Sequence, residues 1–135
     1  MMRSLLVIVT LAACAPPHPV VTWVSTITGV NERVEVRSNG DVRYTATSRG
    51  VTGRPQELKL SKEQVDELGD LLRAQHACEL AHDPSFTPMP DEGQTTLEVA
   101  FPDMRCKIVL WNREWQRDRS RDILETLRSM RPLRH

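Results

Sequence analysis

Apolar and polar residues alternate in several short stretches of the chain, and this period of two predicts strands with one buried face. Residues 97–101 and 106–110 alternate on either side of a short turn, which predicts an antiparallel hairpin. Residues 20–27 are rich in β-branched side chains and predict a first strand. Residues 50–56 contain two glycines and a proline and predict a loop, after which residues 57–60 suit a short edge strand.

A second hairpin is predicted around Ser38-Asn39-Gly40, between strands at 34–37 and 41–44. A two-residue Asn-Gly loop would place valines and charged residues on the same face of the sheet. A three-residue loop with its glycine in the left-handed region pairs Val36 with Val42 instead, and it sets opposite charges against each other on the outer face. The sequence therefore predicts the three-residue loop.

Two later segments carry apolar residues at helical spacing. Ser61 and Gln64 form a capping box, and the apolar stripe that follows predicts a helix over about 62–76. A second stripe over 123–130 predicts a last helix, which Pro132 ends because proline cannot continue a helix.

These elements predict an α+β fold in which two helices pack on one face of an antiparallel sheet of about four to five strands. The predicted order is β-β-β-α-β-β-α, and residues 20–135 form a single domain. This layout is similar to that of small α+β domains in uncharacterised exported bacterial proteins, some of which inhibit peptidases or lysozyme. The resemblance carries no residue roles, because it includes no specific motif.

The start of the chain has the features of an export signal. Arg3 supplies a positive charge, and residues 5–13 form an apolar run that is too short for a membrane-spanning helix, which needs about 20 apolar residues. Small residues followed directly by cysteine, Leu11-Ala12-Ala13-Cys14, resemble the lipobox of bacterial lipoproteins. The alternative is an ordinary signal with an incidental cysteine.

The lipobox resemblance implies that residues 1–13 are a signal peptide, cut before Cys14. It implies a diacylglyceryl group on the Cys14 thiol and a further acyl chain, such as palmitate, on the new amino terminus. Residues 14–19 are then the lipidated cysteine and a proline-rich tether, and the membrane is a partner through the anchor. Ala15 follows the cysteine, which in Gram-negative hosts favours the outer membrane and its periplasmic side.

Once lipid occupies Cys14, the two remaining cysteines, Cys78 and Cys106, form an even pair in an oxidising compartment. We predict a disulfide between them. Two buried free thiols are the alternative, because spacing alone does not show that the two side chains meet.

Size and charge narrow the function classes. Removing 13 of the 135 residues leaves 122, enough for one core. That removal takes Arg3 and leaves 17 basic against 18 acidic residues, so nucleic acid is not an expected partner. The chain has no phosphate-binding glycine loop, nucleophile elbow or Cys-x-x-Cys motif, and we predict neither catalytic residues nor a cofactor nor a metal.

The long loop over 79–93 contains three prolines and is the candidate interaction site, because long loops in compact domains are often functional. Its candidate contact residues are Phe86, Met89, Asp91 and Glu92. We expect the two apolar side chains to fold back on the core, with a contact surface as the alternative, and the two carboxylates to be solvated.

The sequence thus favours a non-catalytic lipoprotein of the cell envelope, a protein-interaction or inhibitor module whose partner is an envelope protein. The alternative is a small-ligand or metal-binding lipoprotein that uses the cluster from His76 to Asp83, or a sugar-binding pair at Trp111 and Trp115. After residue 112, arginines alternate with acidic residues, which predicts a solvated helix face.

Overall fold

The structure is a computed structural model that describes residues 16–27 and 29–129, apart from the side chains of Asp118 and Arg119. The expected signal peptide and Cys14 lie outside the described residues. So do residues 130–135, where we expect the last helix to end.

The fold is α+β, with an antiparallel sheet and two helices. The strands are β1 (Pro19–Ile27), β2 (Val30–Arg37), β3 (Asp41–Ser48), β4 (Val51–Thr52), β5 (Gln56–Lys59), β6 (Gln94–Phe101) and β7 (Met104–Trp111). The helices are α1 (Lys62–Ala74) and α2 (Asp118–Ser129), and single 3-10 turns lie at Ala77–Glu79 and Glu114–Gln116. The strand order is β4-β3-β2-β1-β6-β7, with β5 also paired to β3, so β7 is an edge strand among the described residues.

The described sheet has seven strands, and the prediction of four to five strands in the order β-β-β-α-β-β-α is therefore wrong in detail. Two short strands share the outer edge of β3: β4 pairs with Thr47 and Ser48, and β5 pairs with residues 41–44. β4 lies inside the predicted loop. Its two residues are both exposed, so no alternation of buried and exposed positions marks it as a strand.

The three-residue hairpin loop is confirmed. Val36 pairs with Val42, and Glu35 pairs with Arg43 on the opposite face of the sheet. Gly40 has a φ of 93°, and a Cβ at this position would overlap the Leu60 carbonyl oxygen. Glycine is therefore required here both by the backbone conformation and by the close approach of a neighbouring segment.

The capping box of α1 is confirmed: the Gln64 amide donates to Ser61 Oγ at 3.1 Å, and the Ser61 amide donates to Gln64 Oε1 at 2.8 Å. The helix ends at Ala74, two residues before the predicted end, because His76 adopts the left-handed conformation with a φ of 49°. The buried side chains of both helices join those of one sheet face in a single core cluster. The opposite face is largely polar and charged, so the sheet is covered on one side.

The Cys78–Cys106 disulfide is present, with 5.6 Å between the two Cα atoms. Cys106 lies on the core-facing side of β7, where it packs against the core cluster, and Cys78 lies in the first 3-10 turn. The bridge joins the segment that follows α1 to the edge strand. The 79–93 loop therefore begins next to a covalent attachment to the sheet.

The sheet has two distinct ends. We call the end at Pro19 the tether end; the turns at 38–40 and 102–103 lie there. We call the end at Ile27 the loop end, because Gly93, where the 79–93 loop rejoins the sheet, lies against the backbone of β1 there.

Candidate functional site

The carboxylate of Glu114 holds the first part of the 79–93 loop. Its side chain is 4% exposed, and it accepts hydrogen bonds from His82 Nδ1 at 2.8 Å and from the Asp83 amide at 2.9 Å. The Trp111 amide donates a third bond at 3.1 Å. Burial alone raises the pKa of Glu114, but the bonds from Asp83, His82 and Trp111 outweigh it and keep the pKa below its ordinary value. The carboxylate is therefore charged and supplied with donors.

The carboxylate of Glu92 holds the last part of the loop. It accepts hydrogen bonds from Arg113 Nε at 2.6 Å and from the amides of Arg113 and Met89, each at 3.3 Å. Burial raises the pKa of Glu92, and the bonds from Arg113 and Met89 reverse that shift and lower it. Its side chain is only 6% exposed, so the expectation of a solvated carboxylate is wrong for Glu92. Asp91 beside it is exposed, as expected.

Phe86 lies between two guanidinium groups. The Arg113 guanidinium is 5.0 Å from its ring centre and that of Arg117 is 5.3 Å away, which are cation–π distances. Arg117 also pairs with Asp83 at 3.3 Å. Phe86 thus folds back on charged side chains rather than on the core, whereas Met89 is 60% exposed. The two apolar candidates have different environments.

The loop rejoins the sheet at Gly93. A Cβ on Gly93 would overlap the Thr26 carbonyl oxygen, so the closeness of this contact requires glycine. Asn112 fixes the junction: its amide donates to the Gly93 carbonyl at 3.0 Å, and its side chain donates to the Thr26 carbonyl at 2.9 Å. Thr95 Oγ1 donates to Asn112 Oδ1 at 2.6 Å. Hydrogen bonds therefore hold the end of the loop as well as its first part.

The residues of the His76 to Asp83 cluster have separate partners. His76 Nδ1 lies 3.6 Å from Glu79 Oε2 at the surface, Cys78 is in the disulfide, and His82 faces Glu114. Within residues 16–27 and 29–129, no three His, Cys, Asp or Glu side chains converge in a way that could hold a metal ion. The cluster therefore does not form one site.

The tryptophans near the loop have different roles. Trp115 is 1% exposed and donates from Nε1 to the Thr95 carbonyl at 3.0 Å, so it belongs to the core. Trp111 is half-buried at the end of β7. The pair does not form a shared aromatic platform, because one of the two rings is enclosed.

A cavity of about 400 Å³ lies away from the loop, between α1, α2 and β5. Leu58, Leu60, Leu68 and Leu71 line much of it, and none of the candidate contact residues does. The cavity therefore does not belong to the candidate site.

Three residues of the site were not predicted: Arg113, Glu114 and Arg117. They lie in the segment that we expect to be a solvated helix face, and all three turn toward the loop. The sequence does indicate that Phe86, Glu92 and His82 need partners. Spacing along the chain does not show which charged residue each of them contacts. The pairs are 21 to 34 residues apart.

A scan against models of known protein families found no match, and a search of curated proteins found none either. Neither of the two described helices is long and apolar enough to cross a bilayer.

Proposed function

We propose that the protein is a membrane-anchored lipoprotein of the cell envelope, and that it is a non-catalytic interaction or inhibitor module whose contact site is the 79–93 loop. The observation that carries this proposal is the fixed shape of the loop. The Glu114 and Glu92 carboxylates and the Gly93 junction hold it, while Met89 and Asp91 stay exposed.

A fixed loop suits recognition because little conformational entropy is lost when it binds. Met89 supplies an unbranched, adaptable apolar contact, and Asp91 places a charge two residues away. In this proposal Glu92 and Glu114 position the loop, and they do not touch the partner.

A non-catalytic role agrees with the state of the two buried carboxylates. Each accepts three hydrogen bonds and has a lowered pKa, so neither is suited to exchange protons near neutral pH.

The anchor part of the proposal rests on the lipobox residues 11–14. Growing cells with labelled palmitate tests it: we expect label on the wild-type protein and none on the Cys14→Ala variant. A mass spectrum of the mature protein that still contains residues 1–13 would refute the anchor.

The interaction part is tested by capture from envelope extracts with the full lipoprotein as bait. Met89→Lys adds a positive charge on the loop, and Val109→Lys adds the same charge at another exposed apolar residue, on β7. We expect a partner protein that the wild type and Val109→Lys retain and that Met89→Lys loses. If every captured protein is retained equally by both variants, the 79–93 loop is not the contact site.

A further inference from the structure

The chain just before β1 is bound to the domain. The Ser38 amide donates to the His18 carbonyl at 2.8 Å, and the His18 amide donates to Ser38 Oγ at 3.2 Å. Arg37 Nη2 donates to the Pro17 carbonyl at 2.6 Å. Residues 17 and 18 are therefore part of the folded unit at the tether end, and they do not act as a free spacer.

This attachment limits how far the domain can move from an anchored cysteine. Pro17 is three positions after Cys14, and three residues of fully extended chain span at most about 11 Å. If Cys14 carries lipid, as the proposed function has it, the turns at 38–40 and 102–103 must lie close to the headgroups.

The 79–93 loop begins beside the Cys78–Cys106 bridge, near the tether end, and its last part is at the opposite end of the same strands. β1 has nine residues, which span about 26 Å at the usual rise of a strand. The last part of the loop meets the far end of β1, where Gly93 and Asn112 contact the Thr26 carbonyl. With the strands upright on the membrane, this end of the sheet is about 26 Å from the tether end.

Exposed apolar side chains are concentrated at the loop end. Among the described residues the large exposed ones are Ile27 (49%), Val51 (72%), Met89 (60%) and Val109 (39%). Ile27 and Val51 lie in one row across the strands, since Ile27 pairs with Val30, Val30 with Ser48 and Ser48 with Val51. Met89 is held at this end by a hydrogen bond from its amide to the Glu92 carboxylate.

We infer that the anchored domain stands on its tether end and presents the loop end, with Ile27, Val51 and Met89, to the aqueous compartment. The length of chain between Cys14 and Pro17 carries this inference, because it leaves the loop end pointing away from the lipid.

A photoreactive amino acid in place of Asn39, at the tether end, or of Met89, at the loop end, tests the orientation in living cells. After irradiation we expect phospholipid adducts at Asn39 and none at Met89, read as mass shifts. Phospholipid adducts at Met89 would overturn the inference, because the membrane would then cover the loop end.

A second arm separates this inference from the proposed function. If palmitate labelling fails, the anchor is refuted, but Cys14 of the mature chain can still be coupled to a lipid maleimide, since Cys78 and Cys106 are bonded to each other. In vesicles of phosphatidylethanolamine and phosphatidylglycerol, the Asn39 probe should then label lipid and the Met89 probe should not.

A flexible linker inserted after Ala15 provides the control. A Gly/Ser insert of about 20 residues has a root-mean-square length of roughly 25 Å, enough for the domain to turn over. The difference between the two probes should then disappear. If the difference persists with the insert, the short attachment at Pro17 does not set the orientation.

Discussion

Glu114 and His82 are 32 residues apart in the chain, yet Glu114 Oε1 lies 2.8 Å from His82 Nδ1. The other oxygen of the same carboxylate accepts the Asp83 amide. One side chain thus connects the 3-10 turn after β7 to the first part of the 79–93 loop. The shape of the loop depends on this carboxylate, because it is the acceptor for the His82, Asp83 and Trp111 donors.

Replacing Glu114 with glutamine should destabilise the protein. The amide of Gln cannot accept all three hydrogen bonds, and it places a donor group among donors. We expect a loss of about 2 kcal/mol in the free energy of unfolding, measured by urea titration.

Glu98→Gln is the matched control for Glu114→Gln. Its side chain is 53% exposed, and its partner Lys107 is 3.8 Å away. An exposed ion pair of this kind contributes little to stability, so the free energy of unfolding should change by less than about 0.5 kcal/mol. Equal losses in the two variants would mean that burial and hydrogen bonding of Glu114 do not matter.

Stability should fall in acid. The pKa of Glu114 in the folded protein is below its ordinary value of 4.5, so the unfolded state binds more protons as the pH drops. The stabilisation is fully present above about pH 4.5 and is lost as the pH falls through the lowered pKa. Glu92 has the same direction of shift, as does Asp83, whose pKa the hydrogen bonds from Ser85 lower.

The melting temperature as a function of pH measures this dependence. The melting temperature of the wild type should decrease as the pH falls below about 5, and that of Glu114→Gln should decrease less. Parallel curves for the two proteins would exclude Glu114 as a source of the acid sensitivity. His82 faces Glu114, so a His82→Ala curve identifies any contribution from the histidine.

Loss of the disulfide should lower the free energy of unfolding by about 3 kcal/mol. The Cys78–Cys106 bridge has a sequence separation of 28 and restricts the conformations of the unfolded chain. The Cys78→Ala/Cys106→Ala double variant tests this without a reductant. Its urea midpoint should be lower than that of the oxidised wild type. A wild-type midpoint that does not change on addition of a dithiol would show that the bridge is not formed in solution.

Gly93→Ala should loosen the end of the loop. The added Cβ overlaps the Thr26 carbonyl and lies 3.1 Å from Asn112 Nδ2, so the backbone must shift. The free energy of unfolding should fall by about 1–3 kcal/mol. Hydrogen exchange of the Met89, Asp91 and Glu92 amides should become faster. Gly53→Ala is the control, because a Cβ there lies 3.5 Å from the nearest atom, the Ala46 carbonyl oxygen.

Local features of the fold could be predicted from the sequence. The Ser38–Gly40 loop, the capping box at Ser61 and the core-facing side of Cys106 each follow from residues within a few positions of one another. In such cases a single physical rule, such as the period of a strand or the geometry of a turn, selects one arrangement.

The position of the loop could not be predicted in the same way. Glu92 and Arg113 read as solvated charges in the sequence, because nothing nearby marks them as buried. Their pairing arises only when the loop end of the sheet brings residues 87–93 next to residues 112–117. β4 was missed for a related reason, since two exposed residues carry no pattern.

β7 ends the sheet order and has no strand partner on its outer side among the described residues. Lipid anchors would confine many copies of the protein to the membrane plane. The β7 edge strands of two copies would meet there more often than in free solution. Arg105 and Lys107 are both exposed on this strand. Like charges on two such edge strands repel each other. If the protein is anchored as proposed, this repulsion would oppose strand pairing between neighbouring copies.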